Sequence, residues 1–172
     1  NGASAAVGTI LLANFDAAAA ATTVGNVTIE ASIANVDATG VTLGAKQNLI
    51  ITGDEDVNLA DRGTAETVTA DSVNAAGSSG IITINVEDAS GAATVDTITT
   101  GSGNDLMTID ATGIMTVDAG AGNDTITIED ADGTSTFNGG DGNDTIDVDE
   151  VAQVVALGGA GNDNFTTAVN IG

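Results

Sequence analysis

Four aspartates stand in the same small turn at nearly equal intervals. The turns read GSGND at 101–105, GAGND at 120–124, GDGND at 140–144 and GAGND at 159–163, ending in Asp105, Asp124, Asp144 and Asp163 at spacings of 19, 20 and 19 residues. A carboxylate beside glycine carbonyls is the chemistry of a hard cation, which takes six to eight oxygens at about 2.3–2.6 Å. Glycine accepts backbone angles closed to other residues, so a glycine turn can aim several carbonyls at one point. Such turns also serve as plain chain reversals without metal. Four copies in phase, each keeping both glycines and the aspartate, favour the cation.

The elements that hold these turns follow from what lies between them. Each GxGND is followed by a strand-like run: LMTID, TITIED, TIDVD and NFTT. A second turn comes midway, DATG at 110–113 and DADG at 130–133, with upstream relatives DATG at 37–40, DASG at 88–91 and NAAG at 74–77. One coil is then a GxGND turn, a strand, a DAxG turn and a strand. A repeat of this length marks a unit stacked on itself. The expected fold is all-β, a calcium-stabilised parallel β-solenoid. Stacked turns would lie about 4.7–4.9 Å apart, so an ion between two turns could take oxygens from both. Alternation places Met107, Ile109, Ile126, Ile128, Ile146 and Val148 inward on one wall. Met115, Val117, Ser135, Phe137, Val155 and Leu157 are placed inward on the other, with Thr108, Thr116, Thr125, Thr127, Thr136 and Thr145 outward.

Three segments are expected. Residues 1–25, Ala-rich, form an N-terminal cap or a strand donated to a neighbour. Residues 26–100 form solenoid coils of irregular length, including strands at 27–31, 41–45, 48–52 and 66–70, with 53–63 as a protruding loop. Residues 101–172 form the regular calcium-binding part. An EF-hand at 54–65 is excluded: its required glycine is Leu59 and its final glutamate is Ala65.

The GxGND turns resemble the calcium repeat of RTX proteins, G-G-x-G-x-D-x-U-x with U a large apolar residue. The double glycine is complete at Gly139-Gly140 and Gly158-Gly159, while Thr100 and Ala119 replace its first member elsewhere; U is Met107, Ile126, Ile146 and Phe165. The resemblance implies Asp105, Asp124, Asp144 and Asp163 as side-chain ligands. It implies backbone carbonyls from Gly101, Gly103, Gly120, Gly122, Gly140, Gly142, Gly159 and Gly161. Three complete inter-turn sites are expected, so about three or more Ca2+ ions, with Asp88 or Asp96 as candidates for a further one. The turns recur every 19–20 residues rather than every nine, so one edge alone should carry the ion row. Together with the Ala/Thr-rich coils, the pattern resembles calcium-dependent bacterial surface-layer (S-layer) proteins. That resemblance implies a secreted structural protein, exported by a type I route. Its partners would be copies of itself in a lattice or filament, and cell-surface polysaccharide. RTX repeats also occur as secretion and folding modules of larger enzymes, toxins and adhesins, which is the alternative. An ice-binding solenoid is a lesser one. Its Asn ladder (Asn104, Asn123, Asn143, Asn162) is intact, but its Thr ladder is replaced by Ser102, Ala121, Asp141 and Ala160.

Composition narrows the function classes. Twenty-five acidic residues against two basic ones give a formal charge of −23. This excludes nucleic acid, which needs clustered Lys and Arg, and disfavours anionic membranes. The run Val7–Leu12 is far too short to span a bilayer, so no membrane insertion is expected. The chain has no Cys and no His, so disulfides and the usual zinc or haem ligation are absent. With Lys46 and Arg62 as its sole cationic side chains, an enzyme is not expected. There is no Pro and no Trp or Tyr, which suits a thin core of medium side chains and strands that all need their N–H groups. The chain starts at Asn1 rather than Met, as in a processed product or fragment. Weak oxygen-ligand calcium sites fill where calcium is millimolar, which points to the cell exterior. The absence of polar residues at Ile171-Gly172 suits stacking of ends.

Overall fold

The structure is a computed structural model that describes residues 25–32, 35–37, 47–59, 72–87, 97–111, 113–131, 134–149 and 154–168. Short β-branched runs between glycine- and aspartate-rich turns give fourteen strands among these residues. In chain order they are β1 (Gly25–Ala31), β2 (Val36–Asp37), β3 (Gln47–Gly53), β4 (Val57–Asn58), β5 (Ser72–Ser78), β6 (Ile82–Glu87) and β7 (Thr97–Thr99). There follow β8 (Leu106–Ala111), β9 (Thr116–Asp118), β10 (Thr125–Ala131), β11 (Ser135–Asp141), β12 (Thr145–Asp149), β13 (Val154–Ala160) and β14 (Asn164–Ala168). Odd-numbered strands form one seven-stranded sheet and even-numbered strands another, each in sequence order. All neighbours pair in parallel, as β10 does with β8 and β12. This is a β-solenoid, as the repeat predicts. The offset between stacked residues is 22 from Asn26 to Asn48, 24 from Asn48 to Ser72 and 23 from Ile82 to Asp105. It then settles at 19, 20 and 19 along Asp105, Asp124, Asp144 and Asp163.

Both sheets contribute to one core. Met107, Ile109, Ile126, Ile128 and Ile146 bury against Met115, Val117 and Phe137, and the core continues upstream through Ile98, Ile84, Val73, Ile51 and Leu49. Val148 packs against it, partly buried. Ser135 is buried, its hydroxyl accepting from Met115 N at 3.0 Å. None of the six outward threonines is buried.

The last coil corrects one expectation. Val155 and Leu157 are 46% and 49% exposed, whereas Val154 and Ala156 pack on the core. Pairing sets Ser135 against Val154 and Phe137 against Ala156, so the glycine turn fixes the phase and apolar content does not. The protruding loop expected at 53–63 is corrected over its described part. Residues 53–59 complete a coil, with Val57 in β4 and both Val57 and Leu59 buried. NAAG at 74–77 lies inside β5, where the ladder shifts register, rather than forming a second-edge turn. Residues 1–24, the strands expected at 41–45 and 66–70, residues 60–71, Asp88 and Asp96 lie outside the described residues. Among the described residues, no helix is long and apolar enough to cross a membrane.

Candidate metal centre

The GxGND turns join the end of an odd strand to the start of the next even strand, which stacks them along one edge. Their glycines are required twice over. Gly120, Gly122, Gly140, Gly142, Gly159 and Gly161 all have positive φ. Each also lies against the carbonyl of its counterpart one coil earlier: a Cβ at Gly140 would come 2.0 Å from Gly120 O, and one at Gly142 would come 1.6 Å from Gly122 O. The Gly101 and Gly120 carbonyls accept from Ala121 N and Asp141 N, both at 2.8 Å. They are therefore already used in coil-to-coil stacking, with one lone pair each to spare.

The four aspartates stand in a single file and all lean toward the preceding coil. Asp105 Oδ1 accepts from Ile82 N at 2.8 Å, Asp124 Oδ1 from Asp105 N at 2.7 Å, and Asp144 Oδ1 from Asp124 N at 2.8 Å. Asp163 Oδ1 accepts from Asp144 N at 3.1 Å. Asp105, Asp124 and Asp144 are only 2%, 1% and 1% exposed. Their second oxygens, Oδ2, are buried with no hydrogen-bond partner. Burial pushes the Asp124 carboxyl from 3.8 up to about 7; the bond from Asp105 N opposes this, and the charges of Asp105 and Asp144 add to it. Burial raises Asp105 and Asp144 as well. No described residue is basic, since Lys46 and Arg62 fall outside the described residues and the chain has no His.

Every predicted ligand residue lies on this one edge. The described residues hold no convergent group of three or more acidic, His or Cys side chains. One carboxylate per turn leaves the remaining oxygens of any cation site to the backbone. The asparagines of the signatures link the coils. Asn104, Asn123 and Asn143 each accept, through Oδ1, the backbone N–H of the next asparagine, at 2.7, 2.8 and 2.9 Å. They are rungs between coils.

The sequence reading missed how this edge continues upstream. Ser102 N bonds Ser78 O at 3.0 Å, so Ser78 occupies the place that Gly101 and Gly120 hold in later coils. Ile82 stands where an aspartate would be. One coil further up, Asp56 does the work of the signature asparagine, its Oδ1 accepting from Ile81 N at 2.9 Å. The 78–82 stretch carries no GxGND pattern, so its only sequence signal is its distance from 101–105. On the opposite edge, Glu87, Asp110 and Asp130 are register partners in β6, β8 and β10.

Protein-family models, curated protein sequences and solved structures were compared with the chain, and none matches.

Proposed function

We propose that this chain is an extracellular calcium-binding structural protein. Ions in a row along the GxGND edge would let its acidic coils stack, and the finished solenoid would associate with copies of itself in a surface layer or filament. The observation that carries the calcium reading is the file of buried aspartate oxygens without partners. An unpaired buried carboxylate costs several kcal/mol unless it is protonated or paired. No described residue supplies a positive charge, so when these carboxylates are ionised a bound cation would supply it. Asp105, Asp124, Asp144 and Asp163 would hold the ions, with carbonyls of the signature glycines. Bound calcium would supply countercharge and link one coil to the next. Calcium suits this donor set better than magnesium, which demands near-ideal octahedral geometry and keeps its waters.

Association is supported by apolar side chains on the outer surface of the coils. Ile81, Leu106 and Ile114 are exposed on earlier coils as Val155 and Leu157 are on β13, and exposed apolar surface favours contact with another molecule.

Far-UV circular dichroism, titrated with calcium from metal-free buffer, tests the first part. Strand signal should grow with calcium; an unchanged full β spectrum in excess chelator would overturn it. Electron microscopy tests the second. Ordered arrays or filaments are expected with calcium, and dispersed monomers under both conditions would leave calcium binding standing and remove assembly.

A further inference from the structure

The ion row extends one interval beyond the repeated signatures. We propose a fourth divalent-cation site, formed by Asp105 with the Ser78–Gly80 turn of the preceding coil. This rests on the calcium reading of the same edge.

The direction in which the aspartates lean makes the case. Each carboxylate reaches back to the coil before it, so the interval it serves lies on its N-terminal side. Asp124, Asp144 and Asp163 serve the three intervals between signatures. Asp105 serves the interval between its own turn and 78–82, because its Oδ1 accepts from Ile82 N. That interval holds one carboxylate, as each of the others does. Counting signatures alone gives three intervals; counting carboxylates by the interval they enter gives four.

The facing coil has no aspartate, and a second buried oxygen stands in its place. Ser78 is 3% exposed and its Oγ has no hydrogen-bond partner. One turn links Ser78 to Asp105. Ser78 O accepts from Ser102 N, and Asp105 closes the same GSGND turn three residues further on. Gly80 lies against Gly103, where an added Cβ would come 2.3 Å from Gly80 O. The interval therefore has a carboxylate oxygen and a hydroxyl, both buried and both without partners, beside backbone carbonyls. Orphaned buried oxygens are costly, and a hard cation takes both types. The site is not a copy of the other three. Gly101 and Gly103 lack the positive φ that the glycines of the later turns share, and its single carboxylate is joined by a neutral hydroxyl. It should be the weakest of the row and the last to fill.

The test is calcium stoichiometry of the full chain, by native mass spectrometry and isothermal titration, for wild type and Ser78→Ala. Four ions in wild type and three in Ser78→Ala, with the tighter three unchanged, is the expected result. Three ions in both, or four in both with equal affinities, would overturn the fourth site and leave the calcium reading intact; the latter outcome also covers a water bridging Ser78 to Asp105. No binding at all would remove the underlying reading instead. If Ser78→Ala fails to fold in calcium by circular dichroism, Asp105→Asn decides: it must bind one ion fewer than a four-ion wild type, and equal binding overturns the site.

Discussion

At the scale of single residues, Asp124 carries the sharpest consequence. In metal-free buffer the folded chain holds the Asp124 proton up to about pH 7, whereas the unfolded chain releases it near 3.8. Between those values the folded state binds more protons, so stability falls as pH rises through the window. The contribution is complete below the lower value and gone above the higher. Asp105 and Asp144 act in the same direction. On the calcium reading the sign reverses when the metal is present, because protons then compete with the ion for the same oxygens. The melting temperature should be higher at pH 5 than at pH 8 without metal, and lower at pH 5 than at pH 8 in millimolar calcium. A slope of one sign under both conditions would contradict a metal role for these carboxylates. Asp124→Asn keeps an oxygen for the Asp105 N–H and removes the buried charge. It should raise metal-free stability at pH 8 by about 1–3 kcal/mol and weaken calcium binding; urea unfolding with and without metal measures both.

At the scale of the element, the turn governs the strand. Gly140→Ala would force a side chain onto a backbone carbonyl at φ +100, with 2.0 Å between Cβ and Gly120 O. Gly77→Ala is the milder comparison, since its φ is not positive and a Cβ there would meet only the Thr52 side chain, with Cγ2 at 3.3 Å. The first should lower the melting temperature in calcium well beyond the second; equal effects would mean the turns are not stacked this closely. The same turns set which side chains face in. Leu157→Thr should cost no more than about 0.5 kcal/mol, and Phe137→Ala about 3–5 kcal/mol, read by chemical denaturation. Here the sequence misleads in an instructive way. Alternation identifies Met107, Ile109, Ile126, Ile128 and Phe137 as core, because apolar residues and strand phase agree there. In VVALGG they disagree. Counting back from the double glycine puts Ala156 inside with Phe137, while apolar size points to Leu157. The four aspartates are legible because each sits in an unbroken copy of the turn. Ser78 is not, because β5 shifts register against β3 and Ile82 replaces the acid. The link between Ser78 and Asp105 exists only once the coils are stacked.

At the scale of the whole molecule, the solenoid joins two kinds of coil with one core. Upstream, Leu49, Ile51, Val57, Val73, Ile82 and Ile84 are buried as fully as their downstream counterparts. The carboxylate on that edge is satisfied: Asp56 accepts from Ile81 N and from Asn35 Nδ2. Among the described residues, the buried carboxylate oxygens without partners all belong to Asp105, Asp124 and Asp144. In a solenoid each coil contacts only its neighbours, so stability is close to a sum over coils and interfaces. On the calcium reading, the regular part should therefore open in metal-free buffer while the irregular part stays closed. Hydrogen exchange in metal-free buffer at pH 8 should show peptides within 101–168 exchanging faster than those within 47–59 and 72–87. Each uncompensated carboxylate, at about 1–3 kcal/mol, corresponds to roughly a tenfold or greater loss of protection. Calcium should restore the difference selectively over 101–168. One molar sodium chloride should restore little of it, because salt screens the exposed part of the −23 charge and buried carboxylates are screened far less. Uniform protection along the chain without metal would mean that these coils stack on protonated aspartates alone. Recovery in salt equal to that in calcium would mean that surface repulsion, and not the buried file, is what opposes folding.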